Sequence, residues 1–187
     1  MNQKIMKTCC TPPHDIFVSG WYFRVHNLTE KFQEYFSKKY TLKEKYFKNN
    51  VLLKVILKLK NEDRIIIGVH IRRGDYKYWN DGRFYFSNDV YLKYIKNFEH
   101  EIKNTFNKKC TFFIFSNENI EINEFTNIII SKENWYMDHY LMGQCNFLIG
   151  PPSTFTLWAS YIGKVKYFHI EDDSGEISMN KFKYCSG

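Results

Sequence analysis

Two adjacent arginines follow a short apolar run. Arg72 and Arg73 lie in the segment HIRRGD at residues 70–75, directly after the isoleucine-rich run 65–71. If that run is a strand, neighbouring side chains at its end point to opposite faces. One arginine then faces a ligand cleft while the other pairs with a carboxylate. A guanidinium binds phosphate through paired hydrogen bonds, and His70 offers a ring nitrogen to a base or sugar. The segment predicts an anion site, or alternatively a surface turn with an arginine–aspartate pair involving Asp75.

A second candidate is the segment GPPSTF at residues 150–155. Here an apolar run ends in a turn, and Ser153 and Thr154 open a predicted helix. The free backbone N–H groups and the dipole of a helix N-terminus favour a bound phosphate, and the two hydroxyls add donors. The alternative is an ordinary serine cap. The segment matches neither the P-loop pattern GxxxxGK[ST] nor the nucleophile elbow GxSxG.

Two further polar residues follow predicted elements. Asp138 lies near the start of a predicted helix and off its buried stripe, which comprises Tyr136, Met137, Tyr140, Leu141 and Cys145. Its carboxylate is suited to accept hydrogen bonds from guanine, or simply to stabilise the helix dipole. Asn117 follows the apolar run 112–115 and is a candidate contact for a ribose or sugar hydroxyl. The alternative for Asn117 is a residue that only shapes the turn.

Alternating strands and helices must position these residues. The predicted strands are residues 65–71, 111–115, 127–130, 147–149 and 165–170. The predicted helices run from Ser87 or Asn88 to about 104, from Asn134 through 145, and from 153 through 161, ended by Gly163. This alternation predicts an α/β fold with a doubly wound parallel sheet, in which ligands bind at the carboxyl ends of the strands. The loops after residues 71, 115 and 149 therefore form one candidate site.

The chain is predicted to have three parts. Residues 1–19 are an irregular lead-in, residues 20–62 a helical segment, and residues 63–187 the α/β domain. The pattern within residues 28–60 favours two helices, with an apolar stripe comprising Leu42, Tyr46, Leu53, Ile56 and Leu57. The 187 residues, 44% of them hydrophobic, are sufficient for a packed core.

Charge and cysteine content narrow the class of protein. The net charge of +7 comes mostly from dispersed lysines, which argues against sequence-specific nucleic-acid binding and suits an anionic small ligand or membrane surface. The five cysteines show no metal-site spacing, and Cys110 and Cys145 are predicted to be buried thiols. No run is long enough to cross a membrane and no secretory signal is visible, so we expect a cytoplasmic or peripherally membrane-associated protein.

Taken in order, these segments resemble the α-1,2-fucosyltransferase family. Its hallmarks are H-x-R-R-x-D, F-x-F-S-[ND], D-x-x-x-M-x-x-C and S-T-F-x-x-W-A. They match residues 70–75, 113–117, 138–145 and 153–159. The aromatic segment at residues 20–23 is also similar to the one that precedes the donor domain of the family.

The resemblance implies the donor half of a two-domain GT-B enzyme. That enzyme would transfer L-fucose from GDP-fucose to a galactoside hydroxyl, with inversion and without a metal or other cofactor. Arg72 would hold the β-phosphate, and Arg73 and Asp75 would shape and neutralise that site. His70 and Asp138 match positions that contact guanine. Ser153, Thr154 and Phe155 match the pocket around the diphosphate.

Two departures from the family leave alternatives open. The resemblance implies a preceding domain with a Gly-Gly-x-Gly-Asn-Gln segment, which this sequence does not contain, and Pro151 and Pro152 replace residues that are often polar. The expected partners are a nucleotide-sugar donor, a glycan acceptor ending in galactose, and a missing N-terminal domain. The alternatives are a non-catalytic GDP-sugar-binding module and a transferase that uses another GDP-sugar.

Overall fold

The computed structural model describes residues 26–122 and 127–185. The predicted lead-in and the aromatic segment at residues 20–23 lie outside the described residues. Within the described part of the chain, no helix is long and apolar enough to cross a membrane.

Five parallel strands form one sheet at the centre of the α/β domain. The strands are β1 (Ile65–Ile71), β2 (Cys110–Ser116), β3 (Ile128–Ile130), β4 (Phe147–Gly150) and β5 (Lys166–His169). Their order is β3-β2-β1-β4-β5, and every neighbouring pair is parallel. The predicted parallel sheet is confirmed. The chain builds outward in one direction through β2 and β3, then returns to add β4 and β5 on the other side of β1, so the order reverses between β1 and β4.

Helices cover both faces of this sheet, as expected for a doubly wound fold. The helices are α1 (His26–Lys31), α2 (Gln33–Lys39), α3 (Glu44–Phe47), α4 (Val51–Asn61), α5 (Asn88–Phe106), α6 (Trp135–Met142) and α7 (Thr154–Gly163). On one face, Ile67 and Val69 of β1 pack with the buried aromatic stripe of α5. On the other face, Ile66 packs with the buried residues of α4, α6 and α7. Both faces are apolar, which explains why the seven residues of β1 are all buried.

Between residues 26 and 64 the chain forms four helices, so the prediction of two helices over residues 28–60 is wrong. Asn50 starts α4 afresh, because its side chain accepts a hydrogen bond from the backbone N–H of Leu53. α2 is held by distant contacts, in which Gln33 and Ser37 donate to carbonyls near the end of α7. The predicted stripe is also only partly correct. Leu53 and Ile56 are buried, whereas Tyr46 and Leu57 are exposed.

The later helices differ from prediction mainly at their ends. α6 stops at Met142, before the predicted end at Cys145, and α7 extends to Gly163. Lys164, immediately after α7, adopts the left-handed conformation that often terminates helices, with φ of 52°. Cys110 and Cys145 are buried free thiols, as predicted.

The backbones at the ends of α6 and α7 are in direct contact. A Cβ atom added to Gly163 would lie 2.4 Å from the carbonyl oxygen of Gly143. No side chain fits between these two positions, so glycine at residue 163 allows the two helices to pack at this distance.

Candidate donor-binding site

The pleat of β1 separates the two arginines. Even-numbered side chains of this strand face α6 and α7, and odd-numbered ones face α5, so Arg72 and Arg73 diverge as predicted. Arg72 is one third exposed and lies 2.9 Å from the carboxylate of Asp75. The arginine that pairs with the carboxylate is therefore the accessible one. The sequence-based expectation that the other arginine would take this partner is wrong.

Arg73 is buried on the α5 side of the sheet. Its guanidinium donates hydrogen bonds to the carbonyl oxygen of Phe86 and, over 2.6 Å, to the side chain of Asn88 at the start of α5. The rings of Tyr85 and Tyr91 lie 5.1 and 5.8 Å from its Cζ atom. These contacts hold the Arg73 side chain in place at the edge of the hydrophobic core. Such a position is suited to shaping the loop after β1 rather than to touching a ligand.

Asn117 connects the loops that follow β1 and β2. Its side-chain oxygen accepts a hydrogen bond of 2.8 Å from the backbone N–H of Arg73. Gly74 follows with φ of +63°, in the left-handed region that favours glycine. Asn117 is exposed but its oxygen is engaged by the loop, which matches the alternative in which it shapes the turn.

The turn after β4 is joined to the arginine loop by Tyr76. The hydroxyl of Tyr76 donates a hydrogen bond to the carbonyl oxygen of Pro152, and its ring lies 5.7 Å from the Cζ atom of Arg72. Ser153 caps α7 by accepting from the N–H of Phe155. Tyr76 therefore links the accessible arginine to the turn that leads into α7, at the switch point between β1 and β4, where α/β sheets bind ligands.

Two imidazoles flank Phe155. His70 and His139 lie with ring centroids 5.3 and 5.1 Å from the phenyl ring. The Nδ1 atom of His70 is 2.8 Å from the hydroxyl of Thr156. Burial lowers the pKa of His70 to about 3 and that of His139 to about 4, so both rings are neutral at physiological pH. Neutral rings suit contact with an uncharged base or sugar.

Asp138 is buried against the end of β3, and the prediction that it lies off the buried stripe is wrong. The buried residues of α6 are Met137, Asp138, Leu141 and Met142, while Tyr136 and Tyr140 are only half-buried. Asp138 lies 2.5 Å from the hydroxyl of Ser131, which donates to it. Burial raises the pKa of the Asp138 carboxyl to about 6. A buried carboxylate with one protein donor retains lone pairs for further donors.

The structure brings most of the predicted residues to one edge of the sheet. Arg72, Asn117 and Ser153 follow three adjacent strands, and Asp138 lies near the loop after β3. Sequence reasoning assigned no role to Tyr76, Thr156 or His139. The only sequence feature that pointed to these three residues was their position beside the motifs. Within residues 26–122 and 127–185, no group of three His, Cys, Asp or Glu side chains is arranged to hold a metal ion.

This architecture is that of a Rossmann-like glycosyltransferase domain. The sequence model described as Glycosyl transferase family 11 matches residues 13–173. The chain therefore belongs to this family of fucosyltransferases and is a glycosyltransferase. No match was found among curated proteins or solved structures.

Proposed function

We propose that the protein transfers L-fucose from GDP-fucose to a galactoside hydroxyl, forming an α-1,2 linkage with inversion. The acceptor oxygen bonds to C1 of fucose as the bond from C1 to the β-phosphate oxygen breaks. The electron pair leaves with GDP, and the hydroxyl proton is released to solvent. A nucleotide-sugar donor and a glycan acceptor are the partners that family membership implies.

One observation carries this proposal, namely that Tyr76 links an accessible guanidinium to the turn that opens α7. The ring of Tyr76 contacts Arg72, and its hydroxyl donates to the carbonyl oxygen of Pro152 in the turn that leads into α7. Negative charge grows on GDP as the glycosidic bond breaks. A fixed guanidinium and free N–H groups stabilise that charge most strongly at the transition state. This route requires no metal ion.

The remaining contacts suit a guanine base. Guanine presents N1–H and an amino group, both donors, and an ionised Asp138 offers matching acceptors. The partly exposed phenyl ring of Phe155, backed by the buried neutral ring of His70, supplies a flat surface. None of these contacts reads the sugar, so the fucose donor is proposed from family membership.

Calorimetry with GDP, followed by a transfer assay, tests the proposal. We expect saturable GDP binding without added metal and turnover of GDP-fucose with a β-galactoside acceptor. A folded sample that shows no binding at millimolar GDP would exclude the site. Binding without turnover or donor hydrolysis would favour the non-catalytic module, and competition by another GDP-sugar at higher affinity would change the donor.

The pH dependence of GDP affinity tests the role of Asp138. Because its pKa is raised to about 6, the carboxylate is ionised above that value, and GDP affinity should rise as pH increases from about 5 to about 7. Asp138→Asn should weaken binding at neutral pH by about tenfold, through the loss of charge-assisted hydrogen bonds. Calorimetry across this range measures both effects.

The terminal phosphate of GDP also titrates, with a pKa of about 6. The informative quantity is therefore the difference in the pH dependence of GDP affinity between the wild type and Asp138→Asn. Equal slopes in the two proteins would remove Asp138 from the base site.

The free energy of unfolding should change with pH in the opposite sense to GDP affinity. Between about pH 4 and about pH 6 the folded state binds more protons than the unfolded state, so this group lowers stability as pH rises. Asp138→Asn should abolish that fall.

A further inference from the structure

A large cleft opens beside the proposed diphosphate site. It has a volume of about 1790 Å³ and lies between the N-terminal helices, α6 and α7. Thr154 and Phe155, at the start of α7, line one part of it, and Trp158 lines the same helix face one turn further on. The cleft is therefore continuous with the residues proposed to hold the donor.

Aromatic rings form much of the cleft wall. Trp158 packs edge-on against Tyr40 with ring centroids 5.8 Å apart, and both remain about half exposed. Trp135, on α6, is 73% exposed. Exposed rings of this kind present flat apolar faces beside polar hydroxyl and indole groups. Pyranose rings have the complementary form, with an apolar C–H face surrounded by hydroxyls.

The charged side chains of the cleft are mostly basic. Among the described residues that line it are four lysines, at positions 38, 43, 164 and 183, and one acidic residue, Glu34. Glu34 is already paired with Lys38 at 2.9 Å. The other three lysines form no salt bridge with any described residue. The cleft therefore combines aromatic surfaces with an excess of positive charge.

We infer that this cleft binds the acceptor, and that the acceptor is an acidic glycan carrying a carboxylate or phosphate group. The inference rests on the proposed function, because transfer requires an acceptor hydroxyl next to C1 of the donor sugar. Because Thr154 and Phe155 line the cleft, an acceptor bound there lies next to the proposed donor site. The aromatic rings bind the sugar faces, and the lysines that line the cleft attract the acidic group.

Titration with two matched disaccharides tests this inference. The probes are galactose β-linked to glucose and galactose β-linked to glucuronic acid, each added to the GDP-saturated protein and followed by calorimetry. We expect tighter binding of the acidic disaccharide, by about threefold to tenfold, with a preference that decreases as salt is added. Trp135→Ala should lower the affinity for both disaccharides by about threefold to tenfold. Lys183→Gln should reduce the preference for the acidic sugar.

Matched controls lie outside the cleft. Lys109→Gln removes an exposed lysine, and Phe106→Ala removes a partly exposed ring at the end of α5, on the opposite face of the sheet; neither should alter sugar binding. Equal affinity for the two sugars, or binding unaffected by the cleft variants, would overturn the inference while GDP binding still supports the proposed function. A dimer that excludes both sugars and dissociates in Trp135→Ala would also overturn it. Failure of GDP binding alone would count against the proposed function.

Discussion

Arg72→Ala is expected to weaken GDP binding by about tenfold to a hundredfold, with little loss of stability. Charge-assisted hydrogen bonds to phosphate contribute about 1.5–3 kcal/mol each, and a factor of ten corresponds to about 1.4 kcal/mol. The ion pair that the mutation breaks, with Asp75, is solvent-exposed and contributes at most about 1 kcal/mol to folding. Calorimetry with GDP and urea unfolding measure the two effects separately.

Two further variants sharpen the test of Arg72. Arg72→Lys should also weaken GDP binding, because a point charge replaces the planar fork that makes paired contacts. Arg83→Lys, at an exposed arginine on the same loop, should not change the affinity. An Arg72→Ala protein that binds GDP as tightly as the wild type would show that this guanidinium does not touch the diphosphate.

Arg73→Ala is expected to have the opposite profile, with a loss of about 3 kcal/mol in the free energy of unfolding. The guanidinium is buried, and its removal leaves the carbonyl of Phe86 and the side chain of Asn88 without their donors. The contacts with the rings of Tyr85 and Tyr91 are lost as well. Urea unfolding followed by circular dichroism measures the change.

Arg73→Met is the control for packing, because it keeps an extended apolar stem but removes the hydrogen bonds. We expect it to be nearly as unstable as Arg73→Ala. Whatever fraction of either variant is folded should bind GDP within about threefold of the wild type, since the proposed phosphate contact is made by Arg72 on the other face of the sheet. An unfolding midpoint equal to that of the wild type would contradict the structural role.

The sheet was largely predictable from sequence because each strand is a short apolar run bounded by polar residues. β1 has the predicted bounds, β3 and β4 differ by one residue at one end, and β2 and β5 differ by one residue at each end. The N-terminal helices were not predictable to the same degree. Their apolar spacing is irregular, and distant contacts from Gln33 and Ser37 to α7 hold α2 in place.

The candidate site was predictable in its location but not in its detailed contacts. Alternation along β1 indicated that Arg72 and Arg73 diverge, but which of them is buried depends on α5, whose start supplies Asn88. The buried position of Asp138 depends in the same way on its contact with Ser131, which lies seven residues earlier in the chain, directly after β3. Periodicity within one helix carries no information about such neighbours.

The contact between Gly143 and Gly163 has a mechanical consequence. Because the backbones touch there, α6 and α7 cannot slide or tilt past each other without a steric clash. α6 carries Asp138, and the start of α7 lies at the proposed phosphate turn. The contact therefore fixes the distance between Asp138, proposed to bind the base, and the start of α7, proposed to bind the diphosphate. In the proposed site, this fixed distance would select nucleotides by the separation between their base and their phosphates.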